Sequence, residues 1–340
     1  MVLKELQQEN AAYYLQRKRE LAGALLLTPA GSLCRRLVHG REFWYLRQYA
    51  GGNRRRELYL GRAGEPLLEA VRGRQQRRPK LLGDLSQAKQ ALRVLGYKEA
   101  EVNREELNPT LKKLIAALDR EGLWDAGMEL VGSWCFKVYQ NYLGVEFFPF
   151  RTVDIDLAVR LPYEGGKKDV GALLKSLGFE ERFNVADGTI SYHGGEFMVE
   201  FIRARKGSGA RAQRPQVPGL GLAPVPVAYL DLLLDNPLTL QLKGVGKVTV
   251  PHPAAFFLHK LLVAAARREP AKREKDFRQA AATAKAVAMD EAMLAAAQGI
   301  WQGLPKAWQR RIGQSLKQAQ AVLEADAAPA LDLWRLLAGA

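Results

Sequence analysis

Asp154 and Asp156, one residue apart, and the Gly132-Ser133 pair that precedes them are the residues whose types and spacing point most directly to chemistry. On an extended strand, residues i and i+2 share a face. The run Val153-Asp154-Ile155-Asp156-Leu157-Ala158-Val159 is apolar apart from that pair, which predicts a strand that is otherwise buried. Two carboxylates held so close repel each other unless a cation lies between them. Oxygen ligands suit a hard divalent ion, and Mg2+ bound this way commonly also carries substrate phosphates. A Gly-Ser turn that opens a helix leaves backbone N–H groups free to hold an anion. Metal clamp and phosphate cradle together imply phosphoryl or nucleotidyl transfer. The plainer alternative is a half-exposed strand whose polar face carries two aspartates.

A third carboxylate is sought downstream. Phe183-Asn184-Val185-Ala186, Thr189-Ile190-Ser191-Tyr192 and Glu196-Phe197-Met198-Val199-Glu200-Phe201-Ile202 are β-rich runs separated by Asp187-Gly188 and Gly194-Gly195. Such dipeptides between β-rich runs signal hairpin turns. Glu200 falls inside an otherwise apolar strand, where burying a lone carboxylate is costly. Metal ligation would explain it; an edge strand with Glu200 facing water is the alternative. Glu196 is the weaker substitute because it sits at the turn.

A Gly-Ser turn, a helix, an Asp-x-Asp strand and a third carboxylate on a later strand, over roughly residues 105–280, resemble the nucleotidyltransferase superfamily with the polymerase-β-like fold. Within it the chain is similar to bacterial nucleotidyltransferase-like proteins of similar length. It departs from many members in one respect. About twenty residues separate Ser133 from Asp154, so an insertion over Gly144 to Phe150 must precede the strand. The resemblance implies that Asp154, Asp156 and Glu200 are catalytic residues and ligands of two Mg2+ (or Mn2+) ions. It implies that Gly132 and Ser133 hold the β- and γ-phosphates of a nucleoside triphosphate. An acceptor hydroxyl would then attack the α-phosphorus and expel pyrophosphate, with positioning and charge neutralisation doing most of the catalysis. Related proteins carry a helix with Lys and Arg followed by a Lys-Asp pair. Lys260, Arg268, Lys275 and Asp276 match that pattern, which implies that Lys260 and Lys275 face the nucleotide. A solvated helix face is the alternative for Lys275 and Asp276. His259 reads as a packing residue, since no His/Cys cluster at metal spacing surrounds it.

Directly after the Glu200 strand, Lys206 to Pro215 mixes Gly, Ser and basic residues, the composition of a mobile segment. Arg203, Arg205, Lys206 and Arg211 are candidate contacts to a triphosphate; an ordinary surface linker is the alternative. Residues 225–250 read as further strands with a turn at Lys243-Gly244-Val245-Gly246-Lys247, whose lysines read as solvated. Pro253 opens a helix running to about Arg268, Lys272 to Val287 forms a second, and Ala-rich helical stretches follow.

The chain has 340 residues and a formal net charge of +15. Residues 1–80 hold 17 Lys or Arg against 7 Asp or Glu, a surplus of 10, so two thirds of the excess lies in the first quarter. Such asymmetry suggests a polyanion, usually nucleic acid; a basic surface serving only solubility is the alternative. Residues 3–27 read as a helix. Gly31 to Val38, Glu42 to Arg47 and Arg54 to Gly61 read as a basic, aromatic β-meander with a turn at Gly51-Gly52-Asn53. It faintly resembles the small sheet modules of integrase arms. Its arginines could contact phosphates beside Trp44, Tyr45 and Tyr59, although the aromatics read better as packing the sheet against a helix. Residues 64–96 read as helical with a basic run, Arg72, Arg74, Arg77, Arg78 and Lys80. Asn108-Pro109 marks another helix start.

The fold class read from these features is α+β: a mixed-sheet core (residues 101–250) between a basic N-terminal module (1–100) and a C-terminal helical region (251–340). Two cysteines, Cys34 and Cys135, fit a reducing cytoplasm, and one disulfide between them stays open. Leu21 to Leu27 is too short to span a bilayer, so no membrane partner is expected. The function implied is metal-dependent nucleotidyl transfer to an acceptor hydroxyl on an RNA end, a protein or a small molecule, of which the basic N-terminal module favours RNA. The alternatives are a nucleic-acid-binding protein with a degenerate transferase domain, and a toxin-type transferase acting on tRNA or protein.

Overall fold

The computed structural model describes residues 2–28, 32–50, 54–98, 107–143, 145, 152–184, 189–205, 216–242 and 244–339. The expected turns at 51–53 and 187–188, most of the insertion at 144–150, the segment with Lys206 and Arg211, and Lys243 lie outside them. The chain divides into two compact units, Met1–Glu105 with Tyr142–Gly144, and Glu106–Asn141 with Val145–Ala340. Among the described residues no helix is long and apolar enough to cross a membrane. Cys34 and Cys135 are both free thiols.

The first unit joins helix α1 (Val2–Leu27), an antiparallel meander β1 (Ser32–Val38), β2 (Arg41–Ala50) and β3 (Arg54–Gly61), and helix α2 (Pro66–Val94). His39 and Gly40 both take positive φ in the two-residue turn between β1 and β2, as a twisted hairpin requires. Period-two alternation splits the meander into two faces. Leu46 and Leu60 join Leu68 and Val71 of α2 in a buried cluster, with Leu33 and Trp44 packed against it. Phe43, Tyr45 and Tyr59 form a ring cluster on the other face, where Tyr59 remains 47% exposed. Packing against a helix therefore holds for Trp44 and fails for Tyr59. Of the strand-borne arginines, Arg36 and Arg47 both pair with Glu57, and the Arg36 guanidinium lies over the Tyr45 ring. In the basic run, Arg78 donates to the carbonyl oxygens of Leu25 and Thr28, closing the end of α1.

The second unit opens with α3 (Pro109–Arg120). Its Asn108 cap accepts from Thr110 N at 2.8 Å, as the Asn-Pro pair predicts. There follow β4 (Met128–Val131), α4 (Gly132–Tyr142), β5 (Asp154–Val159), α5 (Val170–Ser176), β6 (Glu180–Asn184), β7 (Thr189–Gly194), β8 (Phe197–Ala204) and β9 (Val225–Val227). These strands make one mixed sheet in the order β4-β5-β8-β7-β6, with β9 also paired to β8. The β5–β8 and β8–β9 pairs are parallel and the others antiparallel. β8 is thus an inner strand, which overturns the edge-strand alternative for Glu200.

Next come α6 (Leu230–Leu234), the hairpin β10 (Pro237–Leu242) and β11 (Gly246–Pro251), and helices α7 (Pro253–Ala264), α8 (Pro270–Ala288), α9 (Glu291–Gly303), α10 (Lys306–Leu323) and α11 (Ala328–Ala338). Sequence reading had strands throughout 225–250; the short apolar run Leu232-Leu233-Leu234 instead turns once as α6. A run that short carries no period to separate strand from helix. α7 runs through the interior, with nearly every side chain buried. Phe136 and Tyr139 of α4 pack on its Phe256, with ring centroids 6.1 and 5.1 Å away, which fixes the Gly132 end of α4 relative to α7.

The two faces of the meander make unequal demands on stability. Leu46→Ala should cost about 2–5 kcal/mol in urea unfolding followed by circular dichroism, and Tyr59→Ala less than about 1 kcal/mol. Equal losses would contradict the assignment of the core face.

Candidate active site

Backbone register sets the site. In the parallel pair β5–β8, Asp154 lies opposite Met198 and Asp156 opposite Glu200. Partners in register share a face, so Asp154, Asp156 and Glu200 all point to one side of the sheet. β4 extends the row with Val131 opposite Asp156, and β7 extends it with Ser191 opposite Glu200. Gly132 follows Val131 at φ +67, and a Cβ there would collide with Asp156 Oδ2. The Gly-Ser turn is therefore pressed against the Asp156 carboxylate, a close approach that glycine alone allows. The Ser133 side chain is buried at the start of α4.

Over this row opens a cavity of about 900 Å³. The sheet contributes Asp156, Glu200, Ser191 and His193 to its walls. Lys260, Arg267, Arg182 and Arg205 give it basic lining, and His259 and Tyr229 also face it. Among the described residues, Asp154, Ser133, Arg203 and Lys275 do not line it. Arg203 lies an odd number of positions from Glu200 on β8, so it takes the other face. It is buried there, and its Nη1 donates to Ala204 O at 3.1 Å. Arg205, past the strand's end, does reach the cavity.

The electrostatics are those of crowded acids answered by two cations. The Asp156 carboxyl is pushed up to about 7, first by burial and then by the charge of Glu200; Asp154 adds to this, while Lys260 and Arg267 oppose it. Lys260 Nζ lies 2.7 Å from Asp276 Oδ1, and Arg267 Nε lies 3.0 Å from Asp276 Oδ2. Asp276 is 1% exposed, so the solvated-face alternative fails for it. Burial alone would raise its carboxyl; Lys260 and Arg267 outweigh burial and hold it below the ordinary range. Lys275 is half-buried, and its ammonium is lowered by burial and by Lys260, with Asp276 and Asp154 acting in the opposite sense. His259 is fully enclosed and pushed down to about 3 by burial, so it stays neutral.

Sequence reasoning chose Arg268, which is exposed, where the structure uses Arg267. Arg267 lies beyond the end of α7 at Ala264, so its approach to Asp276 follows from the path of the chain between α7 and α8 and not from helical phase. Ser191, His193, Tyr229 and Glu129 were not singled out either. Tyr229 takes φ +63, and its ring is held by Trp308 at 5.0 Å and Arg311 at 5.5 Å.

Among the described residues no group of three or more His, Cys, Asp or Glu is gathered to hold a metal ion. The donor chemistry nonetheless suits a hard dication. Asp156 and Glu200 are neighbouring carboxylates whose repulsion already raises Asp156, and a divalent cation would relieve that repulsion.

Comparison with protein families decides the assignment. A family model described as nucleotidyltransferase matches residues 110–302, more than half the chain. The chain belongs to the nucleotidyltransferase family. No curated protein and no solved structure matches it. The match to the nucleotidyltransferase family starts in α3 and ends in α9, so it takes in the whole mixed sheet, the cavity and the Lys260–Asp276 pair.

Glu129 of β4 is 1% exposed, and its Oε2 has no hydrogen-bond partner among the described residues. Burial pushes its carboxyl up to about 8, with Arg160 opposing and Asp235 adding. The folded state therefore keeps a proton that the unfolded state releases above the ordinary value of 4.5. The stability so contributed is complete below about 4.5 and is lost as pH rises through about 8. Glu129→Gln should gain stability over the natural chain across that window, by a few kcal/mol at its upper end, and converge with it in acid. Parallel stability curves from pH 4 to 9 would contradict a buried, protonated Glu129.

Proposed function

We propose that this nucleotidyltransferase moves a nucleoside monophosphate from a nucleoside triphosphate to an acceptor hydroxyl, with release of pyrophosphate. The observation that carries the reading is the pairing of Asp156 with Glu200, in register, inside a cavity whose lining includes Lys260 and Arg267. Asp154, Asp156 and Glu200 are the residues that would hold Mg2+ or Mn2+. An ion bound there would neutralise phosphate charge and lower the pKa of the acceptor hydroxyl.

The chain's own residues do the positioning. Lys260 and Arg267 present positive charge to the triphosphate, and Asp276 fixes both side chains so that little order is lost on binding. The Gly132 N–H and the start of α4 offer an anion site directly beside Asp156, with Ser133 as the next donor. Lys275 acts at longer range through Asp154. Of the candidate phosphate contacts Arg203 and Arg205, Arg205 is the one that lines the cavity and takes that role. The surplus positive charge of residues 1–80 favours RNA as the acceptor. A degenerate transferase domain is disfavoured, because the acidic pair and its countercharges are all retained.

The test is incubation of the full chain with each labelled nucleoside triphosphate, Mg2+ and total RNA, read by transfer of label to RNA. Asp156→Asn should lower the rate at least about 100-fold. Its unfolding midpoint should not fall, because a like charge has been removed from a crowded site. Equal transfer by Asp156→Asn would overturn the assignment of the centre.

A further inference from the structure

One strand of the cavity carries polar groups that this transfer does not use. Ser191 and His193 lie two apart on β7, so both face the cavity, and Ser191 Oγ is 2.9 Å from His193 Nε2. A hydroxyl hydrogen-bonded to an imidazole nitrogen is the arrangement of an activated nucleophile. Register places Ser191 opposite Glu200, and Glu200 opposite Asp156. A serine hydroxyl and two carboxylates therefore stand in one row, each a strand spacing of about 4.8 Å from the next. Lys260 and Arg267 also line this cavity. A triphosphate bound to them would lie in the same cavity as Ser191 and the two carboxylates. Both Ser191 and His193 are half-buried, so a ligand in the cavity can reach them.

We propose that Ser191 is a site of self-nucleotidylation. Ser191 Oγ attacks the α-phosphorus and forms a phosphodiester bond. The bond from that phosphorus to the oxygen bridging to the β-phosphate breaks, and pyrophosphate leaves with the electron pair. The serine proton passes to His193 Nε2, in the tautomer that carries its proton on Nδ1. This inference rests on the transfer proposed above, because the Asp156–Glu200 centre serves both reactions; what it adds is the chain itself as an acceptor.

The experiment incubates the purified full-length chain with ATP, GTP, CTP or UTP and Mg2+, without any acceptor, and reads intact mass and peptide maps. A parallel sample receives total RNA and labelled nucleotide. The expected result is a gain of one nucleoside monophosphate, mapped to Ser191. The gain should be absent in Ser191→Ala and form about 100-fold more slowly in His193→Gln. Label on RNA with no adduct on the chain would overturn the proposal and leave the transferase reading intact. An adduct on another residue, or one undiminished in Ser191→Ala, would overturn it too. Absence of both adduct and RNA label would count against the transferase reading itself.

Discussion

Across the parallel pair β5–β8, Asp156 and Glu200 occupy facing positions on one side of the sheet, and burial leaves Asp156 little water to screen their repulsion. Such a pair is costly to keep. Backbone hydrogen bonding enforces it, since neither strand can slip by one residue without turning its apolar positions out of the core. The countercharge comes from the α7 side. Lys260 and Arg267 reach the cavity while both grip Asp276 of α8, so two cations are held in place by an anion that is itself buried. Removing one member of such a group would strand the others, and the group therefore acts as a unit.

The packing around the site serves that arrangement. Phe136 and Tyr139 of α4 seat on Phe256 of α7, so the turn beside Asp156 and the helix that carries Lys260 are braced against one another. Gly132 completes the contact, because any side chain at that position would fill the space of the Asp156 carboxylate. On the far wall Tyr229 holds a left-handed backbone conformation while Trp308 and Arg311 clasp its ring. A non-glycine residue persists there only when its surroundings over-determine it.

Much of this was legible in the sequence because it follows from local periodicity. Asp154 and Asp156 had to share a strand face, Glu200 stood out in an apolar strand, and Asn108-Pro109 named its helix start. One error came from not applying the same rule far enough, and another lay where no such rule reaches. Arg203 is three positions from Glu200, so strand alternation already put it on the opposite face; Arg267 lies past the end of α7, where no periodicity separates it from Arg268. Other features depend on long-range pairing that one strand cannot announce. The alignment of Asp156 with Glu200, the placing of Ser191 beside Glu200 and the burial of Asp276 all arise from how distant segments meet. The outer aromatic face of the meander is of this kind too, since Trp44 and Tyr45 look alike in sequence and differ only in which side α2 covers.

The most direct measurement is a crystal structure with Mn2+ and a non-hydrolysable nucleoside triphosphate, with the ion located by its anomalous scattering. The account predicts a peak bridging carboxylate oxygens of Asp156 and Glu200, with the triphosphate extending toward Lys260 and the Gly132 turn. A bound triphosphate whose ion touches neither Asp156 nor Glu200 would contradict it.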